Sequence, residues 1–278
     1  MSRNRSFAQV DVFTSVSTQG NPVAVVLDGE GLSAGQMQKF ADWTNLSEAT
    51  FIVPASDPTA DYAVRIFCPG RELPFAGHPT LGTCHAWLES GGQPKSDVIV
   101  QECGVGLVRI RRGPGSSLSF AAPPLRRSGP LGESELDLLA RGLGLDRGQV
   151  VDHQWCDNGP GWQGVLVDSV DTLRSITPDT HLLAGLDVGV VAPSKDGADF
   201  EVRAFFPGNN GLTEDPVTGS LNAALAQWLI GAGRAPDSYT ASQGRALGRD
   251  GRVLVERIDS DIWIGGDSTT VISGSVVI

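Results

Sequence analysis

The chain has 278 residues, 40% of them hydrophobic, and a formal net charge of −11. That length buries a large core and allows two domains, while the charge and a sequence pI of 4.7 argue against nucleic acid or an anionic membrane as partner, since their phosphates need a basic face. Cys68, Cys84, Cys103 and Cys156 form no C-x-x-C pair, so reduced, mostly buried thiols are expected and neither a zinc pattern nor a disulfide framework is.

The start carries Arg3 and Arg5 but no continuous apolar run, and no later stretch is apolar for long enough to span a bilayer. A soluble, cytoplasmic protein is expected. Residues 7–13 alternate as a strand, Gly20-Asn21-Pro22 reads as a turn, and residues 23–27 read as a buried strand. Ser33 with Gln36 spells a capping box, and the helix after it sets Met37, Phe40 and Ala41 on one face and ends near Asn45. Glu48 then follows polar Asn45 and Ser47 and precedes the apolar run Phe51-Ile52-Val53, which places a carboxylate at the lip of a strand.

Another strand, residues 62–67, leads into ELPFAGHPTLGTCHAWLES. There Pro79 suits a first helical position, Leu81, Cys84, Trp87 and Leu88 recur at helical spacing, and Gly91-Gly92 stop the helix. Strands at 98–101 and 106–111 precede a proline-rich connection at 121–130, and Arg109, Arg111, Arg112, Arg126 and Arg127 near it read as solvated charges. The second half offers a helix at 134–141, strands at 163–167 and 199–206, and a second apolar helix opened by Pro216 and carrying Leu221, Leu225, Trp228 and Leu229. It closes with strands at 253–257, 261–264 and 270–278. Strands gathered around segregated helices indicate an α+β fold.

The halves repeat. Arg65 to Gly70 matches Arg203 to Gly208 at a shift of 138, His78-Pro79 matches Asp215-Pro216 at 137, and Val25 to Asp28 matches Val165 to Asp168 at 140. Two lobes follow, residues 1–120, to which a C-terminal strand at about 268–278 returns, and residues 130–267. On this alignment His78 and Asp215 hold equivalent places, as do Thr83 and Ser220.

Glu48 near apolar walls has a raised proton affinity and suits general acid/base work. The plain alternative is an exposed glutamate. His78, between Gly77 and Pro79 at a helix mouth, is a poor cap and so points to function, whereas Asp215 is equally explained as an N-cap. Free N–H groups at such a mouth favour a carboxylate or phosphate. No G-x-S-x-G, G-x-G-x-x-G or Walker loop is present, and His85, His153 and His181 lack metal-ligand spacing.

Asn45-Leu46-Ser47-Glu48-Ala49-Thr50-Phe51, Glu72 to Pro79 and Glu214 to Ser220, together with Gly20-Asn21-Pro22-Val23-Ala24-Val25, resemble the PhzF family of phenazine-biosynthesis-like isomerases. The resemblance spans essentially the whole chain. It implies a diaminopimelate-epimerase-like fold of two pseudo-symmetric lobes, each a β-roll around a central helix, with the active site in the cleft between them. It carries the catalytic roles to Glu48, His78 and Asp215, and substrate contacts to Ser47, Gly77, Thr218, Gly219 and Ser220. It further implies a homodimer, and a cofactor-independent, metal-independent proton shift on a small carboxylate-bearing metabolite of the trans-2,3-dihydro-3-hydroxyanthranilate type. Cys68 stands where members commonly have Ser or Thr, which leaves the substrate open. The alternatives are an epimerase or racemase of an amino-acid-like substrate on the same fold, which needs a thiol at each helix mouth where Ala76 and Asp215 stand, and a non-catalytic metabolite-binding protein.

Overall fold

The structure is a computed structural model and describes residues 3–208 and 211–278. The chain divides into two compact units, one formed by the residues up to Ala121 together with Gly265–Ile278, the other by Ala122–Ile264.

The first unit opens with β1 (Asn4–Val12) and β2 (Asn21–Val26), paired antiparallel. A Cβ on Gly20 would lie 2.1 Å from the Val12 carbonyl oxygen, so the turn into β2 requires glycine. Val23, Ala24, Val25 and Val26 are all fully buried, as a strand covered on both faces must be. On one face lies α1 (Ala34–Thr44), whose Met37 and Ala41 pack with Ala24, Val26, Phe51 and Phe67. The expected capping box is present, with the Gln36 N–H donating to Ser33 Oγ and the Ser33 N–H to Gln36 Oε1. Asn45 ends the helix in the left-handed region (φ 54°) and turns the chain into β3 (Glu48–Val53), which runs parallel to β2 with Val23 opposite Glu48.

Next come β4 (Tyr62–Cys68), β5 (Arg71–Leu73), α2 (Gly77–Glu89), β6 (Val98–Cys103), β7 (Gly106–Arg112) and β8 (Leu118–Ala121), while the chain's last strand, Ser268–Val277, pairs with β1. Helix α2 touches β1, β2, β3, β8 and that last strand, so strands from both ends of the sheet order meet one helix and the sheet curls around it. Gly77 to Ala86 are buried throughout. The approach is close enough that a Cβ on Gly82 would sit 2.4 Å from Val23 Cγ1.

The second unit repeats this plan. After α3 (Glu133–Leu143) come β9 (Val150–Asp157), β10 (Gly161–Val167), α4 (Val170–Ser175), β11 (Val188–Pro193), β12 (Phe200–Gly208), β13 (Gly211–Glu214), α5 (Gly219–Gly231), β14 (Ser238–Gln243), β15 (Gly251–Ile258) and β16 (Asp261–Gly266). The parallel pairs β10–β11 and β12–β14 match β2–β3 and β4–β6, and α5 touches β9, β10 and β15. Leu139 and Leu143 of α3 and Leu173 of α4 share one buried core with Val188, Val190 and Phe205 of the sheet.

The α+β expectation is met, and two local expectations are corrected. Helix α2 begins at Gly77, two residues before Pro79, and α5 begins at Gly219, not at Pro216; residues 215–218 are non-helical. The repeat also aligns differently. Phe67 faces Glu72 across the β4–β5 hairpin and Phe205 faces Glu214 across β12–β13, so the second hairpin is longer and the offset changes inside it. Equivalent arginine pairs confirm the register. Arg65 grips Glu72 at 2.7 and 2.6 Å, and Arg203 grips Glu214 at 2.9 and 2.8 Å. Glu72-Leu73-Pro74-Phe75-Ala76-Gly77-His78 therefore corresponds to Glu214-Asp215-Pro216-Val217-Thr218-Gly219-Ser220. The equivalent of His78 is Ser220, and the equivalent of Asp215 is Leu73.

Candidate active site

In the first unit, the left-handed turn at Asn45 delivers Glu48 to the first position of β3, and the opening of α2 delivers His78 to its second position. Their side chains meet with His78 Nε2 3.2 Å from Glu48 Oε2, and they are only 6% and 15% exposed. On the other edge of the ring, His78 Nδ1 lies 3.4 Å from Asn21 Nδ2, which the glycine turn at the start of β2 brings in. Burial pushes the imidazole down to about 3, against a smaller upward pull from the Pro22 backbone, so His78 is neutral at pH 7. A neutral imidazole carries one N–H and one lone pair, and either can face a carboxyl group. Glu72 and Glu214 are clamped by guanidinium groups; Glu48 instead meets a group that can exchange a proton with it.

Gly77 and Ser47 flank this pair in sequence. Gly77 is the first residue of α2, after a cap residue, Ala76, that supplies no side-chain hydrogen bond. Ser47 is the residue immediately before β3. Cys68, at the end of β4, is near enough that the Glu48 charge adds to the burial that raises its thiol.

In the second unit, Asp215 is buried and does not cap α5. Its Oδ2 accepts a 2.6 Å hydrogen bond from the Thr218 hydroxyl. The Thr218 N–H donates to Gln243 Oε1 at 3.0 Å, so both donors of Thr218 are engaged within the unit. Gly219 and Ser220 open α5. The Ser220 hydroxyl accepts from the Trp162 indole N–H at 3.1 Å, and the Ser220 carbonyl accepts from Asn158 Nδ2 at 2.8 Å. Indole N–H is a donor only, so the proton of the Ser220 hydroxyl points away from it and can be given to another acceptor. Asn158, Trp162, Asn222 and Gln243 escaped sequence reasoning because nothing in their local pattern marks them. Trp162 and Gln243 reach the α5 mouth only because β10 and β14 return to it, Asn158 comes from the β9–β10 connection, and Asn222 lies in the first turn of α5 itself.

The structure thus pairs Glu48 with His78 in one unit and gathers Asp215, Thr218, Gly219 and Ser220 in the other. Cys84, the thiol nearest in sequence to a helix mouth, is fully buried inside α2, and burial pushes it up to about 12, so it is no thiolate at neutral pH. Among the described residues no group of three His, Cys, Asp or Glu side chains could hold a metal ion, and no helix is long and apolar enough to cross a membrane.

Comparison with known proteins places these observations. The model of the PhzC-PhzF family, described as "Phenazine biosynthesis-like protein", matches residues 10–274. Antisense-enhancing sequence 1 of Schizosaccharomyces pombe is 35% identical, covering 97% of each chain. The trans-2,3-dihydro-3-hydroxyanthranilate isomerase of Pseudomonas aeruginosa is 34% identical, covering 89% of this chain and 88% of its own. The crystal structure of a PhzF-family protein from Enterococcus faecalis superposes over 100% of both chains with a TM-score of 0.81 at 26% identity. The family match, running from β1 into the last strand, means that this chain belongs to the PhzC-PhzF family of phenazine biosynthesis-like proteins.

Proposed function

We propose that this protein is a PhzF-like isomerase that moves a proton within a small carboxylate-bearing metabolite, with Glu48 as the group that carries the proton. The observation behind this reading is the buried Glu48–His78 contact, with Nε2 and Oε2 3.2 Å apart. A carboxylate in such surroundings takes a proton from a carbon next to an unsaturated or carbonyl group and returns it to another carbon of the same molecule. No atom is gained or lost, and no redox change is needed. His78, neutral because of burial, is suited to hold Glu48 Oε2 through a single hydrogen bond from Nε2 whose direction the ring tautomer sets. Asp215 and the Ser220 hydroxyl supply polar contacts to the substrate, and the free N–H groups at the start of α5 favour its carboxylate. Ser47 and Gly77 belong to the same contact set, and Thr218 acts through Asp215. Names of relatives at 30 to 34% identity support the trans-2,3-dihydro-3-hydroxyanthranilate type of substrate.

The test is turnover of trans-2,3-dihydro-3-hydroxyanthranilate in D2O, followed by NMR and mass spectrometry. Wild-type protein should isomerise it with deuterium entering at carbon. Glu48→Gln, which keeps shape but cannot accept the proton, should lose roughly 100-fold or more in rate. Retention of most activity by that variant would remove Glu48 from the role. An exchange-free, turnover-free protein that still binds the compound would be a metabolite-binding protein instead.

A further inference from the structure

We infer that Gln243, at the end of β14, is a positioning residue that fixes the direction of a hydrogen-bond chain and so holds Asp215 Oδ2 as an acceptor. Its bearing on catalysis rests on the reading of Asp215 as a substrate-contacting group.

Gln243 is 2% exposed, and its side chain makes four hydrogen bonds. Its Oε1 accepts from the Thr218 backbone N–H at 3.0 Å and from Asn222 Nδ2 at 2.9 Å. Its Nε2 donates to the Asp215 backbone carbonyl at 3.1 Å and to Thr218 Oγ1 at 3.0 Å. An amide side chain has two orientations, but here two backbone groups choose between them. A peptide N–H can only donate and a peptide C=O can only accept, so Oε1 must face Thr218 N and Nε2 must face Asp215 O. Asn222 agrees, because its Nδ2 also donates to the Thr218 carbonyl at 2.9 Å.

With Gln243 so oriented, Thr218 Oγ1 receives an N–H and its own proton has one remaining partner along this chain, Asp215 Oδ2 at 2.6 Å. Polarity thus passes from Gln243 through Thr218 to the carboxyl group. A single flipped amide would reverse it and would leave two buried donors facing each other, which costs on the order of the desolvation of each group. Thr218 occupies the cap position, yet its hydroxyl is turned back to Asp215 and caps nothing, which leaves the first N–H groups of α5 for other acceptors.

Neutron diffraction from D2O-exchanged crystals of the intact protein tests the direction without any substrate. The Thr218 hydroxyl deuteron should lie on the line to Asp215 Oδ2, and a Gln243 Nε2 deuteron should point at Thr218 Oγ1. A Thr218 deuteron pointing at Gln243 would overturn the inference. Function is tested by initial rates with trans-2,3-dihydro-3-hydroxyanthranilate, with thermal unfolding as the check on folding. Thr218→Val removes the relayed proton, and Gln243→Glu replaces the donor by an acceptor that competes with Asp215 for it. Each should lower kcat about tenfold or more while KM moves less, the loss of one well-placed hydrogen bond, and Thr218→Ser should recover most of what Thr218→Val loses. Folded Thr218→Val with wild-type kcat would overturn the positioning role. If wild-type protein does not turn over the compound, the proposed function fails, and the deuteron positions alone still decide whether Gln243 directs the chain.

Discussion

Burial of neutral His78 should make the fold acid-sensitive in a way that can be calculated. The imidazole stands at about 3 in the folded protein because burial excludes its charged form, against about 6.5 in an unfolded chain. The unfolded state therefore binds the proton first. Stability is unaffected by this group well above pH 6.5, falls as pH drops through the unfolded value, and levels off only below the folded one. Between pH 7 and 4.5 the loss from this one residue is about 2.5 kcal/mol, a large part of an ordinary domain's margin. Urea unfolding of wild type and His78→Gln at both pH values isolates the term, because other groups titrate in both proteins. The variant should lose about 2.5 kcal/mol less than wild type over this interval. Equal losses would mean that His78 takes up its proton in the folded state, with Glu48 compensating the charge, and would refute the neutral-imidazole argument.

Other consequences can be checked independently. Glu48→Gln and His78→Gln should be strongly non-additive in turnover, the double variant being little worse than Glu48→Gln alone, because the two side chains act as one unit; multiplying effects would separate them. Cys84→Ser with Cys68→Ser should leave turnover largely unchanged, since Cys84 is buried with its thiol pushed up to about 12, whereas substrate-protected inactivation by alkylation at Cys84 would revive the two-thiol epimerase. Gly82→Ala should cost about 1–3 kcal/mol in urea unfolding, because its Cβ would meet Val23 Cγ1 at 2.4 Å and Val12 Cγ2 at 2.9 Å; an unchanged midpoint would show that α2 can move off the sheet. Trp162→Phe removes the donor that orients the Ser220 hydroxyl, so KM for trans-2,3-dihydro-3-hydroxyanthranilate should rise about three- to tenfold with kcat nearly constant.

The elements legible in the sequence are those whose own residues dictate them. Ser33 and Gln36 spell a box that forms as written, Asn45 supplies the left-handed stop, and the apolar spacing after Gly77 and after Gly219 marks the two central helices. Strands β9, β11 and β14 were missed for different reasons. β9 is rich in polar residues and only Cys156 in it is fully covered, and β14 (Ser238–Gln243) sets buried positions between more open ones with mostly small and hydroxylic side chains, whereas β11 is a short apolar run with no alternation to mark it as a strand. The start of α5 was misplaced because Asp-Pro is a strong opening signal, yet here Asp215 spends its carboxyl on Thr218. The misalignment of His78 with Asp215 has the same origin. Both precede a proline, and only the pairing of Phe205 with Glu214 reveals the longer hairpin that shifts the register. Glu48 was found from its place between polar and apolar residues, but its partner lies 30 positions away and is brought to it by packing alone.

The corrected register bears on the kind of chemistry the scaffold supports. β2 and β3 pair with Val23 opposite Glu48, and β10 and β11 pair with Gln163 opposite Val188, so the position of Glu48 is filled in the second unit by a fully buried valine that belongs to its hydrophobic core. The position of His78 is filled by Ser220. The backbone repeats but the proton-active groups do not. An epimerase that works through two opposed bases would place a proton acceptor at equivalent points of both units. Here one unit carries a carboxylate with an imidazole against it, and the other carries hydroxyls, an aspartate fixed by Thr218 and the opening of a helix. That asymmetry argues against two equivalent bases and favours the proton-shifting reading proposed above over a two-base epimerase on the same fold.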